Sequence, residues 1–232
     1  MTAPPPRADD ITRRVGSAIA AGDLPPGKTF TLGDLAQRWS ISRTVAREVM
    51  RALEQLGMIA VSRRTGMTVL PLNNWQVYDR SVIAWRLQAD GAREAQLASL
   101  NDVRLGVEPI AARAAAEKAS PRERDALIKL AVRLKRLEEK PSQRVGEELE
   151  TDLRFHATIL EASHNEMFAA LAPSLLAILK GRSIYGSRKR DPIAGTAHLH
   201  MRLARAISDG LAAAAEDLAR AILDTNRSHN ER

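Results

Sequence analysis

From residue 79 onward, nearly every stretch of the chain repeats its apolar residues with a helical period, and this constrains the fold more than any other feature. The pattern runs through 79–89, 94–119, 122–139, 143–163, 165–184 and 194–230, the last interrupted at Gly210. Breakers stand between or within the runs: Gly91, Ser120-Pro121, Pro141-Ser142, Ser163-His164-Asn165 and Arg190-Asp191-Pro192. Short joints between amphipathic helices predict a compact antiparallel bundle, and the lack of a sequence repeat argues against a solenoid. Only 3% of the residues are aromatic, so a core of Leu, Ala, Ile and Val must pack helix on helix rather than as a sandwich or barrel. With 232 residues, 44% of them hydrophobic and 27% charged, there is material for one large globular domain or two modest ones.

The first 70 residues read differently. A proline-rich leader over 1–10, expected to be disordered, precedes Ile11, Val15, Ala18 and Ile19 at helical spacing. Gly22-Asp23-Leu24-Pro25-Pro26-Gly27 then breaks the chain. Thr31 is placed to cap a short helix over 32–39. Ile41 and Ser42 turn into a further helix whose inner face reads Val45, Val49, Leu53 and Leu56, ended by Gly57. Two β-prone pieces, 58–61 and 67–70, are joined by Ser62-Arg63-Arg64-Thr65-Gly66. Three helices and a small hairpin make a winged helix-turn-helix over 11–70. A linker over 71–78 and an all-α domain over 79–232 complete a mainly α chain.

Arg43 and Arg47 are four residues apart, so they project together from the start of the last of these helices, with Ser42 as its cap. Paired guanidinium forks suit phosphates and guanine edges in a major groove. A solvated basic face is the plainer explanation, and two arginines alone do not decide between them. Charge adds weight to the first. Residues 1–70 hold 10 Lys/Arg against 6 Asp/Glu, a net +4, whereas 71–232 hold 25 against 22, a net +3. The excess is densest in the smaller segment, which suits an anionic partner. There is no cysteine, hence no disulfide framework, thiolate zinc site or thiol nucleophile. The N-terminus lacks the apolar core of a signal peptide, and the longest uncharged apolar run, 167–179, is too short to span a bilayer. A cytoplasmic protein without a membrane partner is expected.

The segment 19–70 resembles the GntR family of bacterial transcription regulators. The residues that carry the likeness are Gly22-Asp23-Leu24-x-Pro26-Gly27, Leu35-Ala36, Ser42-Arg43-Thr44-x-x-Arg47-Glu48, Leu53, Leu56-Gly57 and the wing ending Gly66-x-x-Val69. The resemblance implies binding to double-stranded DNA through Arg43 and Arg47, with Ser42 and Thr44 beside them, and through the wing residues Arg63, Arg64, Thr65 and Gly66. Gly33 stands where many members carry a further DNA-contacting arginine. The helical remainder resembles the FCD ligand-binding domain, on Arg104-x-x-x-Glu108-Pro109-x-Ala111-Ala112, Asp152-x-x-Phe155-His156 with Asn165, and His200-x-x-Leu203-x-x-Ala206-Ile207. The lead-in Trp75-x-x-x-Asp79-x-x-Val82-x-x-Trp85 is similar to that of sugar-acid regulators, galactonate-type ones in particular.

These resemblances imply a homodimeric transcription regulator, by default a repressor, that sits on a palindromic operator and responds to a small carboxylate such as a sugar acid. Asp152 and His156 lie at i, i+4, a spacing that lets one helix offer two ligands to one ion. The FCD resemblance adds His200 and a fourth ligand at a position where this chain has Ile222. His198 is two residues from His200 and points elsewhere, and His229 lies past the matching position. A divalent ion such as Zn²⁺ on three protein ligands, completed by water or an effector carboxylate, stands against a metal-free pocket in which Asp152 pairs with His156 or an arginine. Arg104 is the candidate effector-binding residue, because a buried arginine offers bidentate recognition of a carboxylate. A structural ion pair with Glu108 at i+4 is the alternative.

Residues 22–29 satisfy the spacing of a phosphate-binding loop, but Pro25 and Pro26 have no N–H to aim at a phosphate. No catalytic residue is identified, and the chain is not expected to be an enzyme. The competing functions are a constitutive DNA-binding protein with a silent helical domain and a metal-dependent enzyme acting on organic acids.

Overall fold

Glycine ends the first helix for a physical reason: the chain must turn left-handed there. The structure, a computed structural model, describes residues 7–64, 66–140, 142–144, 146–177 and 195–228. Helix α1 (Ala8–Ala21) closes on Gly22 at φ 89°, a conformation that costs glycine little. Strand β1 (Thr29–Phe30), helix α2 (Leu32–Trp39) and helix α3 (Arg43–Gln55) follow. Thr31 and Asp34 form a reciprocal capping box at the start of α2, each side chain accepting from the other's backbone N–H. Ser42 caps α3, its hydroxyl accepting from the Val45 N–H at 3.2 Å.

Strands β2 (Ile59–Ser62) and β3 (Gly66–Val69) pair antiparallel, with Ile59 opposite Val69 and Ser62 opposite Gly66. The hairpin expected from sequence is therefore present, and β1 adds a third strand on the other side of β3, in the order β1-β3-β2. Gly57, at φ 68°, leaves no room for a side chain, since a Cβ there would meet the Asn74 carbonyl oxygen at 2.2 Å. That close approach brings the stretch after β3 back against the end of α3. Residues 72–74 form a 3-10 turn. The Trp75 indole donates to the Leu70 carbonyl and the Gln76 N–H to the Leu56 carbonyl, both at 2.8 Å.

The chain divides into two compact units, Met1–Gln96 and Leu97–Arg232. Ile11, Val15, Leu35, Val49, Leu53 and Met67 are at the centre of the first. Helix α4 (Arg80–Gln88), capped by Asp79, belongs to this unit and packs on α1. Its Val82 and Trp85 complete the core around the winged helix. Helix α5 (Asp90–Lys118) carries the division between the units. Arg93 clamps the α4–α5 joint by donating to the Leu87 and Gln88 carbonyls at 2.8 and 3.2 Å.

The second unit continues with α6 (Pro121–Glu139), α7 (Glu147–Ala162), α8 (Glu166–Leu175), α9 (Ala197–Ser208) and α10 (Ala212–Ser228). Helix α6 packs against α7 and α9, α7 against α8, and α9 against α10. Small side chains allow close helix approach: Ala111, Ala112 and Ala115 of α5 are all fully buried. Arg124 ties two helix ends together by donating to Ala116 in the last turn of α5, to Ala119 just beyond it and to Ser208 at the end of α9, where C-terminal carbonyls lack helical partners. Among the described residues no helix is long and apolar enough to cross a membrane.

Candidate functional site

Capping and amphipathicity together aim α3. With Ala46, Val49 and Leu53 buried against the core, the opposite face presents Arg43, Thr44 and Arg47 to solvent beside the exposed Ser42. Neither arginine has an acidic partner among the described residues. The wing carries Arg63 and Arg64, both exposed, after the Ser62 hydroxyl has accepted from the Arg64 N–H at 3.3 Å. Gly66 closes it at φ 75°, where a Cβ would meet the Phe30 carbonyl oxygen at 2.7 Å. Thr65 lies outside the described residues. Gly33, in the first turn of α2, has open space: an added Cβ would meet only the Thr31 hydroxyl, at 3.4 Å.

A second constellation is buried in the helical unit. Arg104 and Glu108 on α5, Asp152 and His156 on α7, and His200 on α9 are all at most 3% exposed. Burial of this many polar groups is costly unless each is satisfied. Arg104 Nε lies 2.5 Å from Glu108 Oε1, and Nη2 lies 3.4 Å from Oε2. Glu108 Oε2 is in turn 2.8 Å from His156 Nδ1. The other nitrogen of that ring, Nε2, faces Asp152 Oδ1 at 3.6 Å, and His200 Nε2 faces the same oxygen at 3.1 Å. His200 Nδ1 is 2.9 Å from the Thr196 carbonyl, the contact of an N–H donor. Phe155, fully buried on α7, packs edge-to-face with both imidazoles, at centroid distances of 5.8 and 5.1 Å.

Burial alone would raise the Glu108 pKa, but Arg104 and then His156 outweigh it and bring it down to about 2. Asp152 is likewise held below the usual carboxylate range, burial being overcome by His156 and His200. His200 goes the other way. Burial opposes its charge, yet the adjacent Asp152 carboxylate holds its pKa above the ordinary imidazole value.

The residues fit a divalent ion. One ligand atom each from Asp152, His156 and His200 can be chosen with all three within 4.8 Å of one another. Ligand bonds of about 2.0–2.1 Å put neighbouring donor atoms roughly 2.9–3.4 Å apart, close to the 3.1 and 3.6 Å that separate Asp152 Oδ1 from His200 Nε2 and His156 Nε2. Asp152 Oδ1 and His200 Nε2 are buried and face each other without an aligned hydrogen bond, and His156 Nδ1 meets Glu108 Oε2 at 2.8 Å, likewise without ideal alignment. Both histidines direct Nδ1 to an oxygen and leave Nε2 toward Asp152, the arrangement that metal-bound imidazoles adopt.

The structure brings Asp152, His156 and His200 together from two helices. It places Arg104 beside them, fully buried, with its guanidinium on Glu108. Ile222 is buried on α10 and supplies a hydrocarbon. His198 is exposed and contacts the Gly195 carbonyl at 2.7 Å, and His229 lies outside the described residues. In the sequence Glu108 is a local partner for Arg104 and one residue of the FCD-like signature. Its contact with His156 joins two helices, and no spacing along the chain reports that.

Comparison with known proteins agrees with this architecture. The FCD domain family matches residues 99–225, more than half of the chain, and the gntR family of bacterial regulatory proteins matches 7–69. The galactonate operon transcriptional repressor of Escherichia coli K12 is 29% identical over 167 residues, 72% of this chain and 71% of that protein. The uncharacterized HTH-type transcriptional regulator YieP of the same organism is 26% identical over 164 residues, 70% of each. Among solved structures, a Streptococcus agalactiae GntR protein covers 95% of this chain and 99% of its own, at TM-score 0.52 and 18% identity. The Listeria monocytogenes regulator Lar aligns at TM-score 0.61 and 12% identity, covering 97% and 96%. At such identities the likeness is one of fold. The matches to both halves and the helices that carry them lead to one conclusion: the chain is a transcription regulator of the GntR family, with an N-terminal winged helix-turn-helix and a C-terminal FCD domain.

Proposed function

We propose that the protein is a cytoplasmic, homodimeric repressor whose hold on a palindromic operator is released by a small carboxylate bound at a metal ion in the helical unit. The observation that carries the effector half is the buried cluster. Arg104 cancels Glu108, which leaves the single negative charge of Asp152 among neutral histidine ligands. A divalent ion then overshoots by one positive charge in a buried place, and a monocarboxylate restores neutrality there. Asp152, His156 and His200 would hold the ion, which supplies a Lewis-acidic anchor for the carboxylate. With Ile222 giving no fourth ligand, a coordination position is left for the effector. Arg104 contributes to effector recognition through its field, which reaches both Asp152 and His200.

The chemistry asked of the site is binding, with no bond made or broken. Arg43 and Arg47, with Ser42, Thr44 and the wing residues 63–66, would read the operator half-sites. Release requires that the effector bind one arrangement of the dimer better than another. The name of the Escherichia coli relative favours six-carbon sugar acids. Protein loaded with Zn²⁺ and chelated protein are each bound to labelled operator DNA and titrated with aldonates, including galactonate, and with other organic acids. Release by a monocarboxylate from the loaded protein only is expected. A loaded protein that no member of the panel dislodges, or an equal response after chelation, refutes the proposal.

A further inference from the structure

We propose that Glu108 is a positioning residue of the metal cluster: its buried carboxylate, held by Arg104, dictates which nitrogen of His156 faces the ion. This rests on the metal-dependent reading above and adds to it a residue on a different helix from the ligands it would serve.

A neutral imidazole carries its proton on one nitrogen and its lone pair on the other, and only the lone pair binds a metal. Glu108 Oε2 stands 2.8 Å from His156 Nδ1. A carboxylate beside a bare nitrogen lone pair at that distance would repel it, so the proton belongs on Nδ1. Nε2 is then the bare nitrogen, and it is the atom turned toward Asp152 Oδ1. His200 reaches the same tautomer through the Thr196 backbone carbonyl. The two ligands differ in one respect: His200 leans on a neutral dipole and His156 on a full negative charge. A charged acceptor makes the imidazole a stronger donor to the ion.

Arg104 makes this possible. Its Nε engages Glu108 Oε1 and its Nη2 reaches Oε2 at 3.4 Å, which fixes the carboxylate plane while Oε2, with a second lone pair, also meets His156. The i, i+4 pair on α5 is thus the support of a ligand on α7, and Arg104 acts on the ion through two intervening side chains.

The test uses the full-length chain loaded with Co²⁺, read by its visible absorption and by chelator competition. Replacing Arg104 and Glu108 together by methionine removes both buried charges at once, a change that buried ion pairs commonly tolerate. The double variant is expected to bind Co²⁺ about 10–100-fold more weakly, with an altered spectrum. Glu108→Gln keeps an acceptor for Nδ1 without the charge and is expected to fall between it and wild type. Operator binding in the absence of effector checks that the variants fold. Nitrogen-15 NMR of the wild-type histidine rings, in Zn²⁺-loaded protein, is expected to show the His156 proton on Nδ1. A folded double variant with wild-type Co²⁺ affinity and spectrum overturns the proposal, and so does an NMR assignment of the proton to Nε2. Wild-type protein that takes up no Co²⁺ overturns this inference and the metal-dependent reading together, whereas indistinguishable wild type and variants overturn this inference alone.

Discussion

Adding one methyl group at residue 16 should reverse the ordinary rule for glycine in helices. Gly16 is buried in the interior of α1, where alanine normally stabilises by about 1 kcal/mol. Here a Cβ would lie 2.3 Å from Trp85 Cζ3, 2.5 Å from Cε3 and 2.7 Å from Cη2. Non-bonded carbons rest at about 3.5–4 Å, so the indole must retreat by more than an ångström. Trp85 is only 5% exposed and closes the core around α1 and α4. Overpacking of this kind costs about 1–3 kcal/mol, enough to outweigh the helix-propensity gain. Gly16→Ala should therefore destabilise the first unit by up to about 2 kcal/mol.

The same substitution made in a Trp85→Ala background meets no ring. It should then stabilise by the usual amount of about 1 kcal/mol, giving a coupling of about 1–3 kcal/mol between the two positions. Trp39, Trp75 and Trp85 are the chain's three tryptophans and all lie in the first unit. Urea unfolding followed by tryptophan fluorescence thus reports that unit, and Trp39 and Trp75 still report it when Trp85 is gone. Trp85→Ala costs about 3–5 kcal/mol on its own, so the cycle is run at low temperature with full folded baselines. A Gly16→Ala effect of the same sign and size in both backgrounds would refute the reasoning, because the penalty would then have nothing to do with the indole.

Arg43→Ala and Arg47→Ala should each weaken operator binding by about 1–3 kcal/mol in a gel-shift titration, and wild-type affinity in both would remove α3 as the reading helix. Gly33→Arg should tighten DNA binding and steepen its salt dependence by about one unit, since the site has room for a side chain at the start of α2; an unchanged salt slope counts against a DNA-facing position. Glu123 is held below its ordinary value of 4.5 chiefly by the Ser120 hydroxyl, then by the Ser120 N–H and His164. A carboxylate lowered in this way stabilises above the ordinary value and loses that contribution as pH falls through its folded value. Glu123→Ala should accordingly cost around 1 kcal/mol at neutral pH, with the cost shrinking below pH 4.5, as measured by urea unfolding across pH.

Most helices were legible because their signals are local. Thr31, Ser42, Asn165 and Gly22 do in the structure what their side chains or lack of one dictate within a turn. Strand β1 escaped notice because two residues cannot show a period, and it forms only because β3 offers an open edge. Helix α4 shows a different limit. Its apolar residues could be read, but with Val82, Ile83, Trp85 and Leu87 buried it has no polar stripe to say what it packs on. What places it is Gly16, whose missing side chain leaves a seat for Trp85. An absence at one position answering a bulky ring 69 residues later leaves no periodic trace.

The buried cluster divides along the same line. Its contacts alternate: Arg104 to Glu108 within α5, Glu108 to His156 across to α7, His156 to Asp152 within α7, and Asp152 to His200 across to α9. The within-helix steps are i, i+4 pairs and follow from helical geometry as soon as the helices are recognised. The cross-helix steps depend on how deeply the helices settle against each other, at 2.8 Å for Glu108 to His156 and 3.1 Å for Asp152 to His200. Removing either kind of step breaks the chain of contacts, but they fail differently. Loss of a within-helix partner strands a buried charge where it stands, whereas an altered packing depth moves whole ligands relative to one another. A site that held an ion through these three side chains, as proposed, would be sensitive to the second, since shifting α9 by an ångström would take His200 Nε2 from contact with Asp152 Oδ1 to beyond it. Metal affinity would therefore be a finer gauge of the packing of this unit than its stability.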